Sequence, residues 1–219
     1  MTIKRAPEAQ LAPDWLKPLA AAAGSVQATE LSRFVPPADG SGRHSAVLML
    51  FASPSDERAA DLLVLRRAST LRSHAGQVAF PGGVTDPSDL SASDTALREA
   101  EEEVGLARAS VDVLAELPAV FLPPSGFVVS PVLAHWREPH PVGVVDTAEV
   151  AGVQRLPVAA LTDPANRFTV RHSSGFIGPG FEVDGLFVWG FTAGLIDRLL
   201  RLAGWERPWD GALIRPIPD

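Results

Sequence analysis

The 219-residue chain contains no cysteine. Disulfide bonds and thiolate metal sites are therefore excluded, and the composition is compatible with a reducing compartment. No apolar run of about 18 residues or more occurs, so no membrane-spanning helix is predicted. Near the N-terminus, Pro13, Asp14, Lys17 and Pro18 interrupt any apolar signal core, so a signal peptide is not expected. We expect a cytoplasmic protein.

Basic residues are also fewer than acidic ones, 19 against 26, so the formal net charge is −7. This balance disfavours a general binding surface for nucleic acid. An anionic small molecule stays compatible with it, because local arginines and a bound metal can reverse the field inside a cleft. No internal repeat is present, and a hydrophobic content of 46% is enough for one sizeable core.

Hydrophobic patterning predicts strands and helices in mixed order. Strands are predicted at residues 45–51, 61–66, 77–80, 111–122, 127–136, 149–156, 168–171 and 185–189. Helices are predicted at residues 14–23, 94–104, 158–161 and 190–203. The first two strands should pair as a hairpin, and the last two should flank a Gly-rich connection as another. Ser93 or Asp94 is the expected cap of the second helix, and Gly105 suits the position after its end.

Strict alternation of strand and helix is lacking, which favours an α+β sandwich over a Rossmann sheet. The expected organisation has three parts. They are an N-terminal helical extension over residues 1–44, a main domain over residues 45–205 and a C-terminal tail over residues 206–219.

Four carboxylates stand within five positions, Glu99, Glu101, Glu102 and Glu103. Residues three and four apart share one face of a helix, so Glu99 should lie beside Glu102 and Glu103 while Glu101 points elsewhere. A solvated acidic face is the ordinary interpretation of such a run. Two features favour a cation site instead: no lysine lies within a turn, and Gly82-Gly83 stands just upstream, where the chain needs close backbone approach. Ligands that are all oxygen suit Mg²⁺ or Mn²⁺.

The same block resembles the signature of the Nudix hydrolase family, in which a glycine and a variable loop precede Arg-Glu, Glu-Glu and Gly at set spacing. The matching residues are Gly83, Arg98-Glu99, Ala100, Glu102-Glu103, Gly105 and Leu106. The loop is one residue longer than in the general pattern, and Asp89 stands about where the family has its first Glu. The resemblance implies a Nudix-type α/β/α sandwich with a mixed β-sheet.

A second resemblance, to the coenzyme A pyrophosphatase branch of that family, lies before the glycines. The branch carries Leu-Leu-Thr-x-Arg-(Ser/Ala), followed at fixed spacing by Arg, Gly and Phe-Pro-Gly-Gly. This chain has Leu63-Val-Leu-Arg-Arg-Ala68, then Arg72, Gly76 and Phe80-Pro-Gly-Gly83, and it departs at Val64 and Leu65. Later segments, Ser125-Gly-Phe127 with Pro131 and Phe187 to Gly194, are also similar to the branch.

The resemblance implies that Glu99, Glu102 and Glu103 hold a divalent cation, Mg²⁺ or Mn²⁺, and act in catalysis together with Arg98. A box glutamate can also serve as the general base, with Glu99 and Glu102 the better candidates. Arg98 has rigidly placed donors that suit carboxylates, so its expected task is to orient the helix that carries the ligands.

Substrate contacts are expected from Arg67, Arg72, Gly82 and Gly83. The glycines would let the loop pass close to the metal site. The two arginines, and Arg66 beside them, either hold a 3′-phosphate or the diphosphate, or form ordinary surface ion pairs.

Four other residues have a chemical and a structural interpretation. His74 is either an acid–base group or, as we favour, a structural hydrogen-bonding group in a turn. Trp136 and Trp189 either stack on adenine or are buried, and burial is the default expectation. Ser125 lacks a Gly-x-Ser-x-Gly elbow, which argues against a serine hydrolase.

The implied reaction is hydrolysis of the diphosphate of coenzyme A and its derivatives, giving 3′,5′-ADP and 4′-phosphopantetheine compounds. The expected partner is a small-molecule diphosphate, with no nucleic acid and no membrane, and a homodimer is compatible with the sequence. One alternative is a Nudix hydrolase of ADP-ribose, a dinucleotide or a nucleoside triphosphate. Another is a non-catalytic nucleotide-sensing module, against which the complete set of three glutamates argues.

Overall fold

The computed structural model describes residues 12–53, 56, 59–71, 73–123, 125–173 and 175–218. The helices are α1 (Lys17–Ala23), α2 (Ala28–Leu31), α3 (Ala92–Val104), α4 (Val158–Thr162) and α5 (Gly190–Leu202). The first strands are β1 (Arg43–Ala52), β2 (Asp61–Arg67), β3 (Val78–Ala79), β4 (Gly82–Val84), β5 (Val111–Glu116) and β6 (Val120–Leu122). The remaining strands are β7 (Phe127–Trp136), β8 (Val150–Pro157), β9 (Arg167–Arg171), β10 (Ile177–Val183), β11 (Leu186–Val188) and β12 (Ile214–Arg215).

The larger sheet is mixed and has the central order β3-β2-β1-β7-β5, with β4, β6 and β8 paired alongside. β1 runs parallel to β7, whereas β2 and β4 are both antiparallel to β1. The hairpin predicted from the first two strands is confirmed, with Phe51 opposite Leu62. The strand predicted at residues 77–80 is present as β3 and ends before Pro81, as expected. The sequence did not predict β4, in which Gly82 and Gly83 pair with Val47 and Ala46 of β1.

Both faces of β1 are buried, which explains its continuous apolar run. Leu48 and Leu50 point to the side of α3, where Ala96 and Ala100 let the helix approach the sheet. Met49 and Phe51 point to the opposite side and share a core with α5 and the smaller sheet. The sheet therefore has helices on both faces, as the predicted α/β/α sandwich requires.

The smaller sheet has the order β11-β10-β9-β12 and was only partly predicted. The sequence suggested a hairpin of two strands across a Gly-rich connection, but that connection contains β10, which pairs with both β9 and β11. Gly178 and Gly180 weaken the local strand signal. A Cβ at Gly180 would overlap Phe168 and Val170, so the missing side chain is a packing requirement of the neighbouring strand.

The helix predicted at residues 14–23 is present as α1, and it belongs to the same core as α5. Leu16 and Leu19 are fully buried in that core, and the ring of Trp15 stacks on Trp205 at 6.1 Å between centroids. In the described part of the chain, no helix has both the length and the apolar character needed to cross a membrane.

Candidate active site

The helix α3 carries the acidic cluster, and local capping sets both of its ends. The Ser91 hydroxyl accepts a hydrogen bond from the Asp94 amide at 3.1 Å, so Ser91 is the N-cap. The predicted cap, Ser93 or Asp94, was wrong because Asp94 instead turns its carboxylate back to the Leu90 amide. Gly105 follows the helix in the left-handed region (φ 75°), as predicted.

Arg98 joins this helix to the loop before it. Its Nε and Nη2 donate to the two Asp89 carboxylate oxygens at 3.1 and 2.9 Å. Nη2 also donates to the Val84 carbonyl, and Nη1 donates to Glu99 and Glu102 at 3.0 and 3.1 Å. The clamp expected of Arg98 is thus present, and the hydrogen bonds from Arg98 lower the pKa of Asp89 well below its usual value.

Glu103 is the most deeply buried acid of the cluster, with only 4% of its surface exposed. Its carboxylate accepts the Gly82 amide at 2.9 Å. Burial raises the pKa of Glu103 to about 8, although the Gly82 hydrogen bond and the charge of Arg67 act in the opposite direction. A carboxylate in this position favours any added positive charge.

Glu99 lies directly against Gly83. A Cβ built on Gly83 would overlap the Glu99 carboxylate, so only glycine leaves room for that group. The Glu99 side chain is 17% exposed, and its burial raises its pKa, with Glu102 adding to the effect. Glu99 and Glu102 are therefore electrostatic neighbours, and so are Glu99 and Glu103.

Glu102 and Glu101 are the more exposed acids of the cluster. Glu102 is 58% exposed and pairs with Arg98, whereas Glu101 is turned away and pairs with Arg108 at 2.7 Å. The predicted division of the cluster into one shared face and one outlying residue is confirmed. Within the described ranges, no three acidic or histidine side chains already stand in a coordination set.

The donors nevertheless suit a hard divalent cation. The carboxylates of Glu99 and Glu103 lie where burial disfavours their negative charge. The third, Glu102, lies at the exposed helix surface, where it pairs with Arg98. Oxygen-only donors of this kind match Mg²⁺ or Mn²⁺.

Four residues of the segment before the glycines were considered for a role, and Arg66 is exposed near the end of β2. Arg67 ends β2, and its Nε is buried without a hydrogen-bond partner in the described part of the chain. Arg72 lies outside the described residues. His74 has a turn conformation (φ 57°) and its Nδ1 lies 3.0 Å from Gln77 Oε1, which agrees with the favoured structural role.

Glu149 lies close enough to the acidic cluster for its charge to act on Glu99 and Glu103, and the sequence did not single it out. The loop before β8 bonds to the end of α3, since the Val145 amide donates to the Glu103 carbonyl at 3.0 Å. Four residues on, the Glu149 carbonyl accepts the Ala68 amide at 2.7 Å, next to Arg67. Burial is the main cause of the raised pKa values of Glu99 and Glu103, and the charge of Glu149 adds to both.

No local sequence pattern indicated that Glu149 lies near the acidic cluster, because Glu149 was only the first residue of the strand predicted at residues 149–156. The β2–β8 pairing, with Arg67 opposite Val150, is what brings it to the acidic cluster.

Trp136 is a structural residue. It is 1% exposed, and its indole nitrogen donates to the Ser110 hydroxyl at 3.1 Å. The default expectation of burial is confirmed for this tryptophan.

Comparison with known families finds that the NUDIX domain model matches residues 42–175. A Photorhabdus laumondii protein named "Uncharacterized Nudix hydrolase NudL" is 38% identical over 168 residues, which span 72% of this chain and 83% of that protein. A Cronobacter sakazakii protein of the same name is 40% identical over 154 residues, or 67% of this chain and 77% of that protein.

Solved structures resemble the fold at lower sequence identity. The Nudix hydrolase RenU from M. smegmatis superposes with a TM-score of 0.50 at 21% identity, covering 78% of this chain and 95% of that one. A MutT/nudix family protein from Enterococcus faecalis also reaches 0.50, at 17% identity over 72% of this chain and 60% of that one. These two likenesses support the predicted sandwich with a mixed sheet.

Proposed function

The chain belongs to the NUDIX domain family, and we propose that it hydrolyses the diphosphate of coenzyme A and its derivatives. The products would be 3′,5′-ADP and a 4′-phosphopantetheine compound. One observation carries the proposal: the segment of residues 63–83 meets the acidic cluster of α3. The Gly82 amide donates to the Glu103 carboxylate, and the charge of Arg67 lowers the pKa of the same group. The segment that marks the coenzyme A branch thereby adjoins the acidic cluster.

Nudix hydrolases generally use a divalent metal. Glu99, Glu102 and Glu103 are the residues proposed to hold it here, as Mg²⁺ or Mn²⁺. When bound, such an ion neutralises charge on the diphosphate oxygens and lowers the pKa of an attacking water.

The protein groups around these ligands have separate tasks. Arg98 fixes the helix against the loop through Asp89 and holds Glu99 and Glu102 on one side of it. Gly82 and Gly83 let β4 pass close to the carboxylates, because a side chain at either position would collide with its surroundings. Such prior placement of groups supplies much of the catalysis in reactions at phosphorus.

Arg67 is the described residue proposed to contact a substrate phosphate. A guanidinium whose Nε is buried without a partner has unused donor capacity, and phosphate oxygens match its geometry. Arg72 is proposed for the same task from the sequence resemblance alone.

Product identification tests the proposed function. The purified protein is incubated with Mg²⁺ and coenzyme A, dephospho-coenzyme A or ADP-ribose, and the products are identified by mass spectrometry in ¹⁸O-water. Coenzyme A should be the fastest substrate and should release 3′,5′-ADP, with the label in only one product because water attacks one phosphorus. Faster cleavage of ADP-ribose would reject the coenzyme A assignment, and initial release of inorganic phosphate would indicate a phosphatase.

A further inference from the structure

A cluster of aromatic rings lies at the end of the smaller sheet. Trp189 and His172 stack with ring centroids 5.6 Å apart and an angle of 24°, and Phe176 meets Trp189 edge-on at 6.3 Å. All three residues are partly exposed. The cluster joins the β9–β10 connection to the start of α5, so two separate elements hold it in place.

Trp189 differs in its setting from other tryptophans of the chain. Trp136 is enclosed and its indole N–H is bonded to Ser110. Trp15 and Trp205 stack on each other and pack against the main core. Trp189 instead stands at the N-cap of α5, is partly exposed, and contacts the rings of His172 and Phe176.

The cluster is attached to the segment that leads into the acidic site. The Thr192 hydroxyl in the first turn of α5 donates to the Val78 carbonyl at 3.0 Å, in a buried hydrogen bond. Trp189 lies three residues before Thr192, and Gly82 lies four residues after Val78. One hydrogen bond therefore links the helix that follows Trp189 to β3, and β3 is separated by only two residues from β4, which carries the Glu103 contact.

The same segment brings the proposed phosphate contact close by. β3 pairs with the end of β2, with Arg66 opposite Val78, and the Arg67 amide donates to the Gln77 carbonyl at 2.9 Å. The first turn of α5 contains no acidic residue, so no carboxylate there repels an anionic ligand.

We propose, on the basis of the function proposed above, that the ring cluster of Trp189, His172 and Phe176 binds the purine base of the substrate. In coenzyme A the base, the 3′-phosphate and the 5′-diphosphate are all attached to one nucleoside, and 3′,5′-ADP keeps the base, the 3′-phosphate and one 5′-phosphate. The arrangement offers a flat ring for the base, Arg67 for the 3′-phosphate and the carboxylate site for the scissile diphosphate. Bases stack on the faces of aromatic side chains, and the partly exposed Trp189 is the ring proposed to provide that face.

Binding of 3′,5′-ADP without any divalent metal tests this assignment separately from turnover. Trp189→Leu should raise its Kd by about tenfold, since one base–aromatic stack is worth that much, while Trp189→Phe should retain most of the affinity. Phe187→Leu is the matched control, because the Phe187 ring packs on Phe168 at 5.1 Å instead of joining the cluster. Binding of 4′-phosphopantetheine, which has no base, should be the same in all four proteins.

In turnover assays, Trp189→Leu should raise KM for coenzyme A and leave kcat nearly unchanged. An unaltered Kd for 3′,5′-ADP in Trp189→Leu would overturn the proposal even if coenzyme A is cleaved normally. If coenzyme A is not a substrate but 3′,5′-ADP binding still depends on Trp189, the base site stands and the proposed function fails.

A measurement on the unmodified protein covers the case in which Trp189→Leu does not fold. The indole N–H resonance of Trp189, assigned by its absence in Trp189→Phe, should shift as 3′,5′-ADP is added. A resonance that stays in place at saturating nucleotide would reject the base site.

Discussion

Glu103 is a carboxylate in a position where an isolated negative charge is unstable. It is almost fully buried, one backbone amide donates to it, and its pKa is raised to about 8 mainly by that burial. The Glu99 side chain beside it is 17% exposed, and burial raises its pKa as well. A divalent cation bound between Glu99 and Glu103, as proposed above, would offset the cost of holding both negative charges there.

Replacing Glu102 with Gln tests the ligand role at the exposed edge of this site. The change removes one charge while nearly preserving shape, and the rate should fall by roughly 100-fold, about 3 kcal/mol of barrier. Folding should be retained, because an exposed ion pair contributes little to stability. Glu101→Gln is the matched control, since Glu101 pairs with Arg108 away from the cluster. Near-normal turnover of Glu102→Gln at saturating Mg²⁺ would remove Glu102 from the mechanism.

Gly83→Ala tests the close passage of β4. The new Cβ would overlap the Glu99 carboxylate, so that group must turn away from its present position. We expect a rate loss of roughly 10-fold or more, about 1.4 kcal/mol of barrier. Gly152→Ala, in β8, is the control because a Cβ there meets nothing within 4 Å. Equal activity of the two variants would show that the Glu99 position is unimportant for turnover.

The loop of residues 85–91 and α3 form one unit at the level of secondary structure. Asp89 accepts hydrogen bonds from Arg98 and from the Thr95 hydroxyl, and only 4% of its side chain is exposed. The sequence placed Asp89 where the family has a glutamate, and the structure shows it bound to Arg98. Asp89 therefore contacts the acidic cluster through Arg98 of α3. Replacing Asp89 should first lower the free energy of unfolding.

Asp89→Asn should lower the free energy of unfolding at pH 7 by about 2 kcal/mol, the scale of charged hydrogen bonds. The folded-state pKa of Asp89 is depressed by Arg98. Its contribution is therefore complete above the unfolded pKa of about 3.9 and is lost as the pH falls towards the folded value. Urea unfolding at several pH values measures this, and the difference between the two proteins should shrink below about pH 4. Asp86→Asn, in an exposed turn bonded to Ser88, is the control; an equal loss in both would contradict the clamp.

Helices and strands with a clear local sequence pattern could be predicted, whereas features that depend on pairing between strands distant in the chain could not. The helix α3 and the position of Gly105 follow from residues next to each other in the chain. The strand β10 was missed because its glycines weaken the local pattern, while its pairing with β9 and β11 stabilises it. Glu149 was missed for a related reason, since only the β2–β8 register brings it near Glu103.

Over the whole molecule, one core connects parts that the sequence suggested were separate. The division into an extension (residues 1–44), a main domain (45–205) and a tail (206–219) remains a proposal. The described part of the extension packs α1 into the core that also contains α5 and one face of the larger sheet. Trp205, at the end of the proposed domain, stacks on Trp15 and meets Phe51 edge-on.

Leu19→Ala tests whether the extension folds as part of this core. Leu19 is fully buried, so the change should leave a cavity and lower the free energy of unfolding by about 2–5 kcal/mol. Lys17→Ala, at an exposed position of the same helix, should change it by less than about 0.5 kcal/mol. Urea unfolding followed by tryptophan fluorescence and by loss of activity should give one transition at the same midpoint, because Trp15 and Trp205 report on the junction. An early fluorescence transition that leaves activity intact would show that α1 unfolds separately, and the extension would then be an appendage to an independent core.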